Sequence, residues 1–216
     1  MDKKMKGIKQ FILNMAITGL LLNLAACNDD NMKNATKIAA GSNAEISDDF
    51  KTQNPAWKAY AGHWVFKNGV LEQNSTQHDF PVILREDKQF ADLEVSVDFK
   101  PVSGNIDASG GIIFRAKDKD NYYIVRANAL EDNYRLYTFV NGRRQQLASA
   151  TVSAPEKNKF HNMRIVARGD HIQAYLDGKL QIDYHDDTYQ NGFSGLWTKE
   201  DSITQFDNFK AGSLSE

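Results

Sequence analysis

From Ile46 to about Leu214 the chain alternates apolar and polar residues with a period of two. In DLEVSVDFK, residues 92–100, Leu93, Val95, Val97 and Phe99 share one side, with Asp92, Glu94, Ser96 and Asp98 on the other. GGIIFRA (110–116) sets Ile112, Phe114 and Ala116 against Ile113 and Arg115. NMRIVARG (162–169) sets Met163, Ile165 and Ala167 against Arg164, Val166 and Arg168. HIQAYLDG, KLQIDYH, GFSGLWT and TQFDNFKAG are further strands of this kind. Side chains that switch sides at every residue belong to half-buried β-strands. Asn68-Gly69, Asn141-Gly142, Gly169-Asp170 and Asp177-Gly178 supply the turns between them. No segment beyond the N-terminal leader keeps a helical period. The pattern predicts an all-β protein, a two-sheet antiparallel β-sandwich or jelly roll, each sheet turning one face to the core.

Residues 1–26 break this pattern. Lys3, Lys4, Lys6 and Lys9 precede an apolar run from Phe11 to Ala26, interrupted by Asn14, Thr18, Gly19 and Asn23. The run is too short and interrupted for a comfortable membrane span and reads as a secretory signal peptide. It ends Leu24-Ala25-Ala26-Cys27, at the one cysteine of the chain. That ending resembles the bacterial lipobox, which implies lipidation at Cys27 and an anchor in the outer membrane or cell surface. Residues 27–45, small and polar, form a flexible tether, and residues 46–216 form one domain. Removing the leader takes away four lysines and one aspartate, leaving 22 basic and 27 acidic residues. That balance excludes nucleic acid as a partner, because no basic stripe remains to displace counterions.

Parity then picks out candidate chemistry. In NYYIVRANAL, Tyr123, Val125 and Ala127 point inward, so Tyr122, Ile124, Arg126 and Asn128 point outward. In YRLYTFVNG, Leu136 and Val140 point inward, leaving Arg135, Tyr137 and Phe139 outside, and Ile113 and Arg115 share the outer side of the preceding strand. If the three strands are neighbours, Arg115, Tyr122, Arg126, Asn128, Arg135 and Tyr137 form one ligand-binding patch. Aromatic rings stack on sugar faces, and guanidinium groups and amides bond hydroxyls or carboxylates. A carbohydrate is the expected partner, and three arginines favour an anionic one. Trp197 is either a core residue or a platform at the edge of this groove. The plainer reading is a solvated sheet face with cross-strand pairs.

The row Asp92, Glu94 and Asp98 offers catalytic candidates, Glu94 and Asp98. Carboxylates two apart on a strand lie roughly 6.5–7 Å from each other, within reach of glycosidase geometry. Asp207, with Asp49 or Asp48 near the first strand, could bind calcium through oxygen ligands. His63, His78, His161, His171 and His185 show no metal-ligand spacing. No nucleophile elbow or phosphate loop occurs.

The stretch GGIIFRAKDKDNYYIVRANALEDNYRLYTFVNGRRQQLAS, with FHNMRIVARGDHIQAYLDGKLQIDYHDDT and GLWTKEDSITQFDNF, resembles bacterial secreted proteins with the concanavalin A-like (laminin G-like) jelly roll. This group is tied to family 16 glycoside hydrolases and 3-keto-disaccharide hydrolases. The resemblance implies a sugar-related role and a structural calcium near the joined termini, which would involve Asp207. It does not bring the E-x-D-x-E strand of family 16 enzymes, since Ser96 interrupts the acid row. Three functions are therefore expected in order: an anchored glycan-binding lipoprotein, a glycoside hydrolase using Glu94 and Asp98, and a structural lipoprotein with a protein partner.

Overall fold

The computed structural model describes residues 44–77 and 79–215. The signal peptide, Cys27, most of the tether and His78 lie outside the described residues. In chain order the strands are β1 (Ile46–Asp48), β2 (Trp57–Ala61), β3 (Trp64–Lys67), β4 (Val70–Gln73) and β5 (Val82–Phe90). They continue as β6 (Leu93–Ser103), β7 (Ser109–Asp118), β8 (Asn121–Asn128), β9 (Glu131–Val140) and β10 (Arg143–Thr151). The last five are β11 (His161–Arg168), β12 (His171–Leu176), β13 (Lys179–His185), β14 (Gly192–Trp197) and β15 (Ile203–Ser213). No helix occurs among the described residues.

Two antiparallel sheets result. The first runs β13-β12-β11-β6-β15-β4-β3, with β1 also on β15, and the second runs β10-β9-β8-β7-β14-β5-β2. The turns follow from local chemistry. Asn68-Gly69, Asn141-Gly142 and Asp177-Gly178 each place two successive residues at positive φ, the tight hairpin conformation that Asn, Asp and Gly tolerate best. They close the β3–β4, β9–β10 and β12–β13 hairpins.

Alternation builds the core as the sequence pattern expects. Along β6, Leu93, Val95, Val97 and Phe99 are buried while Glu94, Ser96 and Asp98 are half-exposed. They meet Ile112, Phe114, Tyr123, Val125 and Leu136 of the second sheet in one apolar cluster. Each such side chain contributes about 1.5–3 kcal/mol of transfer free energy on full burial. A buried ion pair joins the sheets at one edge: Arg85 of β5 donates from Nη1 to Asp48 Oδ2 of β1 at 2.8 Å. Trp57 Nε1 donates to the same carboxylate oxygen at 3.0 Å.

Parity fails at one place that matters. Arg115 sits at φ +51°, and the β7–β8 register shifts between Phe114 and Asp118. This bulge reverses the side-chain sequence beyond Phe114. Ala116, expected inside, lies on the outer face with Ile113. Arg115, expected on the outer patch, turns to the end of the sandwich and is completely buried. Its Nε donates to Ala91 O at 2.9 Å, and its Nη1 to Gly169 O at 2.7 Å and Tyr189 O at 3.2 Å. Burial pulls its pKa below the ordinary value, opposed by Asp92. Arg115 is thus a strut tying three loops and not a ligand contact. Val140 also departs from expectation; at the end of β9 it is exposed.

Replacing Arg115 with Ala leaves three loop carbonyls without their donor and opens a cavity. Urea unfolding should show a loss of about 3 kcal/mol or more; a loss under about 0.5 kcal/mol, the range of plain surface substitutions, would remove the strut role.

Candidate ligand-binding face of the second sheet

The outer face of the second sheet is as apolar as many cores. Because β7, β8 and β9 are neighbours and parity holds along β8, Tyr122 and Ile124 lie beside Ile113, Tyr137 and Phe139 in a second cluster with Val82, Leu84 and Trp197. Two glycines deepen its floor. A Cβ at Gly111 would lie 2.4 Å from Ile124 Cδ1, and one at Gly195 would lie 2.8 Å from Leu84 Cδ2. Those branched side chains therefore lie across the glycines. Tyr122 and Phe139 stack with centroids 4.5 Å apart. Phe80 meets Phe139 edge-on at 5.1 Å and stacks on Trp197 at 5.7 Å. Burial pushes the Tyr122 phenol well above its usual pKa, with a bond from the Trp197 indole pulling the other way.

The two ends of this face differ. At one end a cleft of about 410 Å³ is lined by Tyr60, Phe80, Tyr122 and Phe139 together with Gln77, Asp79, Lys119 and Asp120. The Tyr60 hydroxyl donates to Glu86, and that bond, with burial behind it, pushes the phenol pKa up to about 12. Four residues further along β8, roughly 13 Å by strand geometry, lies a polar end. Arg126 Nη2 donates to Glu131 Oε2 at 2.8 Å, Arg135 Nη1 lies 3.7 Å from the same oxygen, and Asn133 Nδ2 donates to it at 2.9 Å. Burial is the largest influence and works against the Arg126 charge, but the Glu131 bond together with the charges of Tyr137, Glu131 and Asp107 raises its pKa on balance. Burial likewise opposes Glu131, and Arg126, Asn133 and Arg135 bring its pKa below the usual range. Both groups stay charged at neutral pH. Between the ends, exposed Arg144 of β10 lays its guanidinium over Phe80 and Tyr137, 5.2 and 4.8 Å from the ring centroids.

Three guanidinium nitrogens on this face find no acceptor among the described residues: Nε and Nη1 of Arg126 and Nε of Arg135. A buried donor without a partner costs about 1–3 kcal/mol, and these lie just beneath the surface at the polar end of the face.

The six-residue patch does not form as a unit. Arg126, Arg135 and Tyr137 come together, with Arg135 Nη1 donating to the Tyr137 hydroxyl at 3.4 Å. Tyr122 shares the face but belongs to the cleft end. Asn128 accepts from the Ala108 and Leu130 amides at 3.1 and 2.9 Å, a loop-shaping role. Trp197 is fully buried, so it is a floor residue under Phe80 and not an exposed platform. Nearby, Asp201 accepts from the amides of Asn105, Ile106 and Asp107, which shapes a loop.

Glu94 and Asp98 belong to the other sheet. Arg164 Nη1 donates to Glu94 at 3.2 Å, while Asn162 and Asn208 donate to the two oxygens of Asp98 at 2.7 and 3.0 Å. They face away from the aromatic cleft, on the far side of the core. Asp98 pairs in register with Asp207 of β15. Burial first, then Asp98 and Asp49, raise the Asp207 carboxyl above its usual pKa. Asp48 is committed to Arg85, but Asp49 is held only by exposed Lys51, at 2.7 Å. That ammonium already stands where a cation is wanted. Asp49 and Asp98 act on Asp207 through their charge, but among the described residues the three carboxylates do not gather into one ligand set, so the expected calcium site at Asp207 and Asp49 does not assemble.

Comparison with known proteins gives the family. The model of the 3-keto-alpha-glucoside-1,2-lyase-like domain matches residues 43–211. The chain belongs to that family. A levanase of Bacillus subtilis (strain 168) is 26% identical over 148 residues, covering 68% of this chain and 21% of the levanase, so the chain spans about a fifth of that relative. Among solved structures, the carbohydrate-binding module CBM66 from Bacillus subtilis matches with a TM-score of 0.67 and 27% identity, covering 73% of this chain and 96% of the module. A Bacillus licheniformis beta-glucanase matches with a TM-score of 0.59 and 12% identity, over 80% of this chain and 99% of that one; at that identity it shows the shared jelly-roll fold alone.

Sequence reasoning missed Tyr60, Asp79, Phe80, Lys119 and Asp120 of the cleft, and Arg144. They come from β2, the segment before β5, the β7–β8 turn and the β9–β10 hairpin, whose adjacency exists only once strand order is known. Arg144 alone left a trace, since it pairs with Phe139 just across the Asn141-Gly142 turn.

Calcium at about 1 mM, typical for extracellular sites, should leave the melting temperature unchanged; a rise that EDTA reverses would restore the expected site. Asp207 has a raised folded pKa, so its ionisation penalises folding. The penalty is absent below the ordinary carboxylate range and grows as pH climbs through the folded value. At neutral pH, Asp207→Asn should therefore match or exceed the wild type in melting temperature; a lower melting temperature in the variant would show that the Asp207 charge carries no penalty.

Proposed function

We propose that this protein binds saccharides on the outer face of the second sheet, with its ring-stacking surface at the Tyr60–Phe80 cleft and its hydrogen-bonding groups at Arg126 and Arg135. The observation that carries this reading is the match to a carbohydrate-binding module over 96% of that module at 27% identity. The geometry supports it: aromatic rings at one end, unpaired N–H donors at the other, and an apolar floor between them. Of the three expected arginines the face keeps Arg126 and Arg135; Arg144 and Lys119 join them, and Glu131, Asp79 and Asp120 offset most of that charge. A ligand recognised through hydroxyl groups therefore fits better than a strongly anionic one.

The family description favours a second reading, cleavage of a 3-keto-glucoside. Removal of a proton beside a carbonyl needs a positioned base, and Asp79 and Asp120 line the cleft. Glu94 and Asp98 cannot serve a ligand there, because they lie across the core from it. We also keep the anchor at Cys27 as part of the proposal, placing this binding face at the outer membrane or cell surface.

Titration calorimetry against neutral and anionic glycans, levan included because one relative is a levanase, should find a neutral ligand. Tyr60→Ala and Arg144→Ala should each weaken it at least about tenfold, or about 1.4 kcal/mol, without changing the melting temperature. Absence of binding across the panel, or equal affinity in the double variant, removes the binding reading. Turnover of a 3-keto-glucoside that Asp79→Asn or Asp120→Asn abolishes would establish the second one instead. For the anchor, Cys27→Ser should end labelled-palmitate incorporation and move the protein out of the membrane fraction. Retention of label in the variant would exclude lipidation there.

A further inference from the structure

We propose that the β12–β13 hairpin binds one divalent transition-metal ion, zinc, nickel or copper, through His171, His185 and Asp183. Thirteen residues separate the two histidines in the chain, and no spacing rule links them; the sheet register does. His171 pairs directly with His185, and Gln173 with Asp183. Alternation in this unbroken stretch of register puts all four on the outer face of the first sheet, because their neighbours Ile172, Ala174 and Ile182 are in the core.

The side chains are close and reachable. The imidazole rings lie parallel within 6°, with centroids 4.6 Å apart. One ligand atom from each of His171, Asp183 and His185 lies within 4.8 Å of the others. His171 Nε2 is 2.6 Å from Asp183 Oδ1, and His185 Nδ1 is 3.2 Å from Asp170 Oδ2. Gln173 Nε2 donates to the other Asp183 oxygen at 3.0 Å, which holds the carboxylate facing the rings. Rotation about χ2, a soft torsion for histidine, brings a nitrogen from each ring toward a shared ion without moving the backbone. Asp170 is placed as the outer carboxylate that orients a ligating imidazole.

Among the described residues, the other histidines do not offer this. Both ring nitrogens of His161 are occupied, by Asp177 at 2.9 Å and Glu156 O at 3.2 Å, and His63 Nδ1 meets only Asn74. Two imidazoles and one carboxylate suit zinc, nickel and copper, not calcium. The ion would clip edge strand β13 to β12 and keep at least one coordination position open to solvent.

Titration calorimetry of the full chain with zinc chloride should find one equivalent bound. His171→Ala and His185→Ala should each weaken binding at least about tenfold, the scale on which lost metal-site partners act, with Asp183→Asn also weaker and His63→Ala unchanged. Circular dichroism on the ion-free variants checks that they fold. Independently of any variant, copper should broaden the imidazole resonances of His171 and His185 ahead of all others in the wild type. Failure of the wild type to bind zinc, unchanged binding in the His171→Ala/His185→Ala double variant, or broadening first at other histidines would each overturn the site.

Discussion

The two-residue repeat of side-chain direction in the second sheet is the constraint on which the candidate face depends. Along β8 it sends Tyr123, Val125 and Ala127 into the sandwich and Tyr122, Ile124 and Arg126 to the opposite face. Because both rows are apolar or aromatic for most of their length, the sheet is buried on one side by its partner and on the other by its own side chains, by Phe80 and by Arg144. A single αL residue, Arg115, interrupts the repeat in β7. A β-bulge bends and twists a strand and redirects its side chains, and here it removes one guanidinium from the face and turns it into a support for three loops.

Charged groups divide into two kinds. Arg85–Asp48 and Arg115 are buried and bonded to partners set by the fold; they hold sheets and loops in position. Such pairs add little net stability beyond what well-packed apolar residues would give, but losing one partner strands the other. Arg126, Glu131 and Arg135 are different, since their mutual bonds leave several N–H groups over. Those groups lie just beneath the surface at the polar end of the face. The acids of β6 lie on the reverse of the molecule with amide and guanidinium partners of their own, so the molecule separates its carboxylate row from its aromatic cleft.

That separation bears on function. A hydrolase needs its acid and its nucleophile or base on either side of one scissile bond, which Glu94 and Asp98 cannot provide to a saccharide lying on Tyr60 and Phe80. Binding requires only what the second sheet has: stacking rings, a flat apolar floor and donors with unused capacity. The proposed ion site at β12–β13 lies on the outer face of the first sheet, and its occupancy leaves the saccharide face unobstructed.

The fold was readable from the chain because strand alternation and Asn-Gly or Asp-Gly turns are local: each records its geometry within a few residues. The rows Leu93–Phe99 and Tyr122–Asn128, and the hairpins at Asn68, Asn141 and Asp177, needed nothing more. What the chain could not disclose was non-local. Which strands lie side by side, and in what register, decided that His171 meets His185, that Asp98 meets Asp207, and that Tyr60 and Phe80 wall a cleft with Tyr122. The Arg115 bulge belongs to the same class, because an arginine carries no intrinsic preference for positive φ; three carbonyls from distant loops hold it there. Periodicity determines which way a side chain points relative to its own strand, but only packing of the whole chain determines what it points at.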